Sequence, residues 1–162
     1  MSLGASFEPW YRDTYRQLVT SMLAVSGDHE IAAEAADEAF SRAWRHWDQV
    51  RGMASPEGWT YRVALNVLRS QARRRRVEER LLPRLVRRSE VSAPAGEVWE
   101  LVRELPQRQR TAVVLRYVAD LDERHIAEAM GVTRGTVAST LAAARHALGL
   151  ALEADVVAEE RT

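Results

Sequence analysis

The stretch Ser55-Pro-Glu-Gly-Trp-Thr-Tyr-Arg-Val-Ala-Leu-Asn-Val-Leu-Arg-Ser-Gln-Ala-Arg-Arg-Arg-Arg76 decides how the chain is read. Ser55 is suited to cap a helix, Pro56 to its first position and Glu57 to the positive end of its dipole, so a helix is predicted from here. Val63, Ala64, Val67 and Leu68 recur at helical spacing and are predicted to be buried. Trp59, Arg62, Asn66, Arg69 and Arg73 share a different face that runs into Arg74, Arg75 and Arg76. Guanidinium groups suit phosphates, an amide can read a base edge, and an indole can stack on an unpaired base. Nucleic acid is the partner this face predicts; the competing reading is a solvated helix end with Trp59 in the core.

Working outward, the 162 residues fit one ordinary domain or two small ones, each able to bury little on its own. The 23 basic residues, all Arg, balance the 23 acidic ones, but the balance conceals segregation. Residues 62–88 carry ten Arg against Glu78 and Glu79, net +8, which leaves net −8 on the rest. Such a dipolar layout suits a protein that meets both a nucleic acid and a basic protein surface. Cysteine is absent, which excludes a disulfide framework and thiolate chemistry and fits a reducing cytoplasm. No apolar run approaches the ~18 residues of a membrane span, and the N-terminus lacks a signal-peptide layout.

Upstream, Phe7, Trp10, Tyr11, Leu18, Val19, Met22 and Leu23 predict a first helix ending near Gly27. Asp28 is predicted to cap a second, with an apolar stripe of Ala32, Ala35, Ala36, Ala39, Phe40, Ala43, Trp44 and Trp47. Its other face carries Glu34, Asp37, Glu38, Ser41 and Arg45, a solvated surface or a docking one. Asp48 to Ala54 reads as a short loop. Downstream, Leu81 to Gly96, with two prolines, small residues and unpaired arginines, reads as a linker.

The second half opens with a short helix carrying Val98, Trp99, Leu101, Val102 and Leu105, stopped before Pro106. Gln107 to Ala119 predicts a helix with Ala112, Val113, Leu115 and Tyr117 inward. Asp122 is placed to cap Glu123 to Met130. Gly131-Val-Thr133 makes a turn and a new cap, and a helix follows from Arg134 toward Leu152 with Val137, Leu141, Ala144 and Leu148 buried. A helix of about two turns, a glycine turn and a longer helix form a helix-turn-helix, whose second helix can enter a major groove. The predicted fold is all-α: residues 5–80 and 97–153 as two small helical domains joined by the linker 81–96.

Taken together, the chain from Phe7 to Leu152 resembles bacterial RNA polymerase sigma factors of the extracytoplasmic-function group, sigma-70 family. Leu105-Pro-Gln-Arg-Gln-Arg110, Leu115-Arg-Tyr-Val118, His125-Ile-Ala-Glu-Ala-Met-Gly-Val132 and Gly135-Thr-Val137 resemble that family's region four. Glu34-Ala-Ala-Asp-Glu-Ala-Phe-Ser-Arg-Ala-Trp44 and Trp59-Thr-Tyr-Arg-Val-Ala-Leu-Asn66 resemble its region two. The resemblance implies a transcription initiation factor that binds RNA polymerase core, directs it to promoters and helps melt the −10 region. It implies polymerase binding by Glu34, Asp37, Glu38, Ser41, Arg42 and Arg45 through a coiled coil of the largest subunit. It places capture of a flipped base on Asp48 to Ala54, and of the unwound −10 strand on Trp59, Arg62, Asn66, Arg69, Arg73 and Arg74. For the −35 element it implies a recognition helix bearing Thr133, Arg134, Thr136, Ala138, Ser139, Thr140 and Arg145. It implies no cofactor and no catalysis by this chain, a cytoplasmic location, and an anti-sigma factor as a further partner.

Two departures from the family pattern matter. Ala138, Thr140 and Ala143 stand where Lys and Arg usually alternate after Gly-Thr-Val, leaving Arg134 and Arg145 as the basic residues of the recognition helix, and Asp37 stands where glutamine is usual. An alternative therefore stays open: a sigma-like accessory protein with weakened −35 reading. A one-component repressor would need tight duplex binding that Arg134 and Arg145 alone do not supply. A metalloenzyme is disfavoured because His29, His46, His125 and His146 are scattered without a His-x-x-x-His pair.

Overall fold

Polar side-chain caps set where four of the described helices begin. The computed structural model describes residues 3–78 and 92–159, with side chains over 6–77 and 92–149, and every element in it is helical. The order is α1 (Leu3–Ser26), α2 (His29–Arg45), α3 (Trp47–Val50), α4 (Pro56–Glu78), α5 (Glu97–Glu104), α6 (Gln107–Tyr117), α7 (Glu123–Met130) and α8 (Arg134–Glu159). Asp28 caps α2 by accepting from the amides of Glu30 and Ile31, both at 3.0 Å. Asp122 caps α7 through His125 N at 2.9 Å, and Thr133 Oγ1 accepts from Thr136 N at 3.2 Å in α8. Ser55 Oγ accepts from Gly58 N at 2.8 Å at the start of α4. A Cβ at Gly58 would lie 2.7 Å from that same oxygen, so only glycine lets this cap close.

In the first half α2 packs against both α1 and α4. The alanines Ala32, Ala35, Ala36, Ala39 and Ala43 are fully buried, and their small side chains let the neighbouring helices approach Leu18, Met22, Leu65 and Leu68 closely. Trp10 Nε1 ties α1 to α4 by donating to Glu57 Oε1 at 2.9 Å. Ser21 and Tyr61 share a buried hydroxyl contact of 3.3 Å, and burial pushes the Tyr61 phenol up to about 12. In the second half α8 packs on α6 and α7, burying Ile126, Val137, Leu141 and Ala144 around Val114 and Leu115. Gly131 turns the chain from α7 at φ +67°, the left-handed conformation that glycine adopts without penalty.

The halves are packed together. A single apolar core runs through both, with α7 against α4 and α6 against α1. Among the described residues, polar contacts cross the seam where Gln17 Nε2 donates to Val118 O at 3.1 Å and where Arg110 Nη1 donates to Val25 O at 3.3 Å. The second places a cation at the carbonyl end of α1, where the helix dipole favours it.

Several expectations are corrected. Trp44 does not join the buried stripe of α2 but is 51% exposed, meeting Phe7 edge-on at 5.0 Å between ring centres. Trp47 is buried, yet it opens α3 after a break at His46, so Asp48 to Val50 are a helical turn rather than loop. Breaking the helix at His46 re-aims Trp47 under Trp10 and Phe7, and its Nε1 donates to Ser6 Oγ at 2.8 Å. Helix α6 ends at Tyr117, two residues early, and Tyr117 is 56% exposed while Thr111 and Val114 fill the core instead. Of the expected linker, 81–91 lie outside the described residues and 92–95 are irregular.

Candidate nucleic-acid interface

Arg62, Asn66, Arg69, Arg73 and Arg74 are exposed along α4. Steps of four and three keep the first four on one face, while Tyr61, Ala64, Leu65 and Leu68 hold the opposite face in the core. Among the described residues none of these four arginines forms an ion pair, and Arg69 Nη1 makes only a long 3.4 Å contact with Asn66 Oδ1. Trp59 is half buried against Ala43, Trp47 and Val50, so part of its indole is engaged and part remains at the surface.

The arginine run is not uniform, because Arg75 is turned inward and is 8% exposed. Its guanidinium pairs with Asp28, the cap of α2, and reaches Glu30 Oε2 at 2.9 Å. Burial raises the pKa of Asp28, but the amides of Ile31 and Glu30 and the Arg75 guanidinium outweigh it and hold the carboxyl below its ordinary value. Sequence reading grouped Arg75 with its neighbours; the acidic pair at the start of α2 was the available signal.

On α2, Glu34, Asp37, Ser41, Arg42 and Arg45 are exposed and Glu38 is partly so. Glu38 Oε1 accepts from Arg42 Nε at 2.6 Å and lies 3.8 Å from Arg45. Asp37 accepts from the Tyr15 hydroxyl at 2.8 Å, and burial together with that carboxylate pushes the Tyr15 phenol up. Five of these residues form one wall of a groove of about 790 Å3 whose other wall is Asn66, Val67, Ser70 and Gln71 of α4. Asn66 therefore borders both the acidic groove and the arginine face.

Thr133, the cap of α8, and Arg134, Thr136, Ala138, Ser139 and Arg145 of that helix are exposed, while Thr140 is partly covered. The hydroxyls of Ser139 and Thr140 donate to Thr136 O at 3.0 and 2.6 Å, and Thr133 is occupied as the cap. The cations of this face are the guanidiniums of Arg134 and Arg145, the latter donating to the Tyr117 hydroxyl at 3.5 Å, and the Thr133 and Thr136 hydroxyls bond each other at 2.9 Å. Among the described residues no three His, Asp or Glu converge as metal ligands, and His125 sits 3.0 Å from its own cap residue Asp122.

Residues 10–78 match the family described as Sigma-70 region 2, and residues 95–148 match Sigma-70, region 4. RNA polymerase sigma-H factor of Pseudomonas aeruginosa is 30% identical over 148 residues, covering 78% of this chain and 75% of that protein. The chain belongs to the sigma-70 family, extracytoplasmic-function group. Other relatives include RNA polymerase sigma-E factor of Streptomyces avermitilis, 28% identical over 140 residues (83% of this chain, 78% of that protein), and ECF RNA polymerase sigma factor SigW of Bacillus subtilis, 26% identical over 157 residues (85% and 82%). The fold is similar to that of the sigma factor RpoE in complex with the anti-sigma factor NepR from Bartonella quintana, with a TM-score of 0.74 at 18% identity over 93% of this chain and 98% of that one. It is also similar to CnrH in complex with the cytosolic domain of CnrY, with a TM-score of 0.65 at 18% identity over 93% and 90%. As a sigma factor the chain is a promoter-directing transcription initiation factor whose partners are RNA polymerase core and promoter DNA. Among the described residues no helix is long and apolar enough to cross a membrane.

Proposed function

We propose that the factor divides its work among three faces. The α2 face of Glu34, Asp37, Glu38, Ser41, Arg42 and Arg45 docks on the coiled coil of the largest polymerase subunit. Trp59, Arg62, Asn66, Arg69, Arg73 and Arg74 hold the separated −10 strand, and the segment 48–54 receives a flipped base. Thr133, Arg134, Thr136, Ala138, Ser139, Thr140 and Arg145 meet the −35 duplex. The working units are 5–80 and 97–153, joined by the linker 81–96. The chain makes and breaks no bond itself, acts in the cytoplasm, and is held in check by an anti-sigma factor of the kind named with RpoE.

The observation that carries this reading is the exposed, carboxylate-free row Arg62, Asn66, Arg69 and Arg73 on a helix whose other face is locked in the core. Unstacking costs a few kcal/mol per base, and a charged groove with one partly exposed indole offsets an amount of that order. Transcription from a library of promoter fragments by purified core plus this chain tests it. Start sites sharing upstream elements are expected.

A second reading is favoured by one specific feature, the recognition helix with two guanidiniums and self-bonded hydroxyls. In that reading the chain is an accessory factor that binds polymerase but reads −35 DNA weakly. The same experiment separates the two: an accessory factor yields no specific transcript until a second factor is added.

A further inference from the structure

The seam between the two halves contains a cleft of about 320 Å3, lined by Arg69 of α4, Gln107 and Arg108 of α6, and Met130, Gly131 and Val132 at the helix-turn-helix turn. Arg69 and Arg108 are both exposed, come from opposite sides of the seam, and pair with no carboxylate among the described residues. Among the described residues no Asp or Glu lines the cleft. Two unneutralised guanidiniums facing one small space repel each other, and an anion between them removes that repulsion. Helix α6 begins at the same wall, and Pro106 gives its first amides no side-chain acceptor. Met130 and Val132 add an apolar surface beside the charges. A phosphate with an attached sugar or base matches this combination better than a bare ion does.

Arg69 also belongs to the exposed row of α4, so a strand laid along that row meets the cleft partway. We propose that the cleft binds a phosphodiester of a single-stranded nucleic acid, with Arg69 and Arg108 contacting it from the two halves of the factor. This rests on the reading of α4 as a strand-binding helix. It adds that the polymerase-free factor holds a strand through both halves at once, and that the strand favours the packed arrangement because the cleft exists only when α4 and α7 are together.

The test uses the full chain and a labelled oligodeoxythymidine of about 12 nucleotides, with anisotropy followed across a salt series. Arg108→Ala is expected to weaken binding about fivefold and to reduce the slope of log K against log salt by about 0.7, as Arg69→Ala does. Arg108→Glu is expected to weaken it further, whereas Arg12→Ala, an exposed charge change on α1, leaves it unchanged. Unaltered thermal melting of the variants confirms that they fold. Unchanged binding by Arg108→Ala beside a loss with Arg69→Ala overturns the cleft and leaves the reading of α4 intact. No loss with either overturns both. If thymidine monophosphate binds the cleft as tightly as the oligonucleotide, the site is one for small anions and the strand assignment fails.

Discussion

Arg75, third of four consecutive arginines, donates to Asp28, the residue whose carboxylate already caps α2, so one side chain fastens the end of α4 to the start of α2. The pair links residues 47 apart in sequence. Arg75 is 9% exposed at its side chain, while Asp28 and Glu30 are 38% and 47% exposed.

Arg75→Ala is expected to destabilise the fold by about 1–2 kcal/mol. That is below the cost of breaking an ion pair buried on both sides, because the two carboxylates left behind are partly hydrated and screened. Arg74→Ala, one residue away and exposed, is expected to change stability by less than ~0.5 kcal/mol. Urea unfolding of the two variants against the parent measures both. Equal effects would show that Arg75 is not distinct from the run around it.

The same pair predicts a pH dependence. The folded pKa of Asp28 lies below its ordinary value of 3.8, so the unfolded chain binds the proton more readily. Its contribution is therefore complete above about pH 3.8 and is lost as pH falls through the lower folded value. Asp28→Asn is expected to flatten the stability profile below about pH 4. Some slope is expected to remain, since the hydrogen bond from His125 N also holds Asp122 below its ordinary value. An unchanged acid limb in Asp28→Asn would rule out this linkage.

How far the sequence could be read depended on whether the deciding interaction was local. Asp28, Ser55, Asp122 and Thr133 cap helices as their residue types suggest, because a cap is settled within three residues. Arg62, Asn66 and Arg69 were legible as surface because the apolar face opposite them was continuous. Trp47 was misassigned because extending the helical period past Arg45 ignored the break at His46, which no strong breaker residue announces, whereas Trp44 lies inside α2 on a part of its surface that the core does not cover. Tyr117 was misplaced for a similar reason: α6 stops there, and the chain turns through Asp120 at φ 53°. The packing of α7 on α4, and with it the cleft shared by Arg69 and Arg108, depends on contacts between segments far apart in sequence, which periodicity does not encode.

Arg69→Ala with Arg73→Ala is expected to reduce open-complex formation by roughly tenfold or more while leaving association with core nearly unchanged. Both residues are exposed and lie outside the wall that α2 and α4 share. Removing two phosphate contacts is also expected to lower the single-strand salt slope by about 1.4. Permanganate footprinting reports opening, and a core pull-down reports association. Parallel losses in both assays would contradict the division between the two faces.

Glu38→Arg is expected to weaken core binding by tenfold or more, about 1.4 kcal/mol, with little effect on folding. Glu38 holds Arg42 at 2.6 Å and lies 3.8 Å from Arg45, so the substitution places three guanidiniums together on a face that now carries two cations near three carboxylates. The ion pairs lost are surface ones, worth about 0–1 kcal/mol, so thermal stability should move little. A basic partner surface, by contrast, would meet repulsion where it had met attraction. Competition with an unaltered sigma factor for limiting core distinguishes the outcomes. Undiminished competition would remove α2 from the docking surface, and with it the explanation for the acidic groove it forms with Asn66.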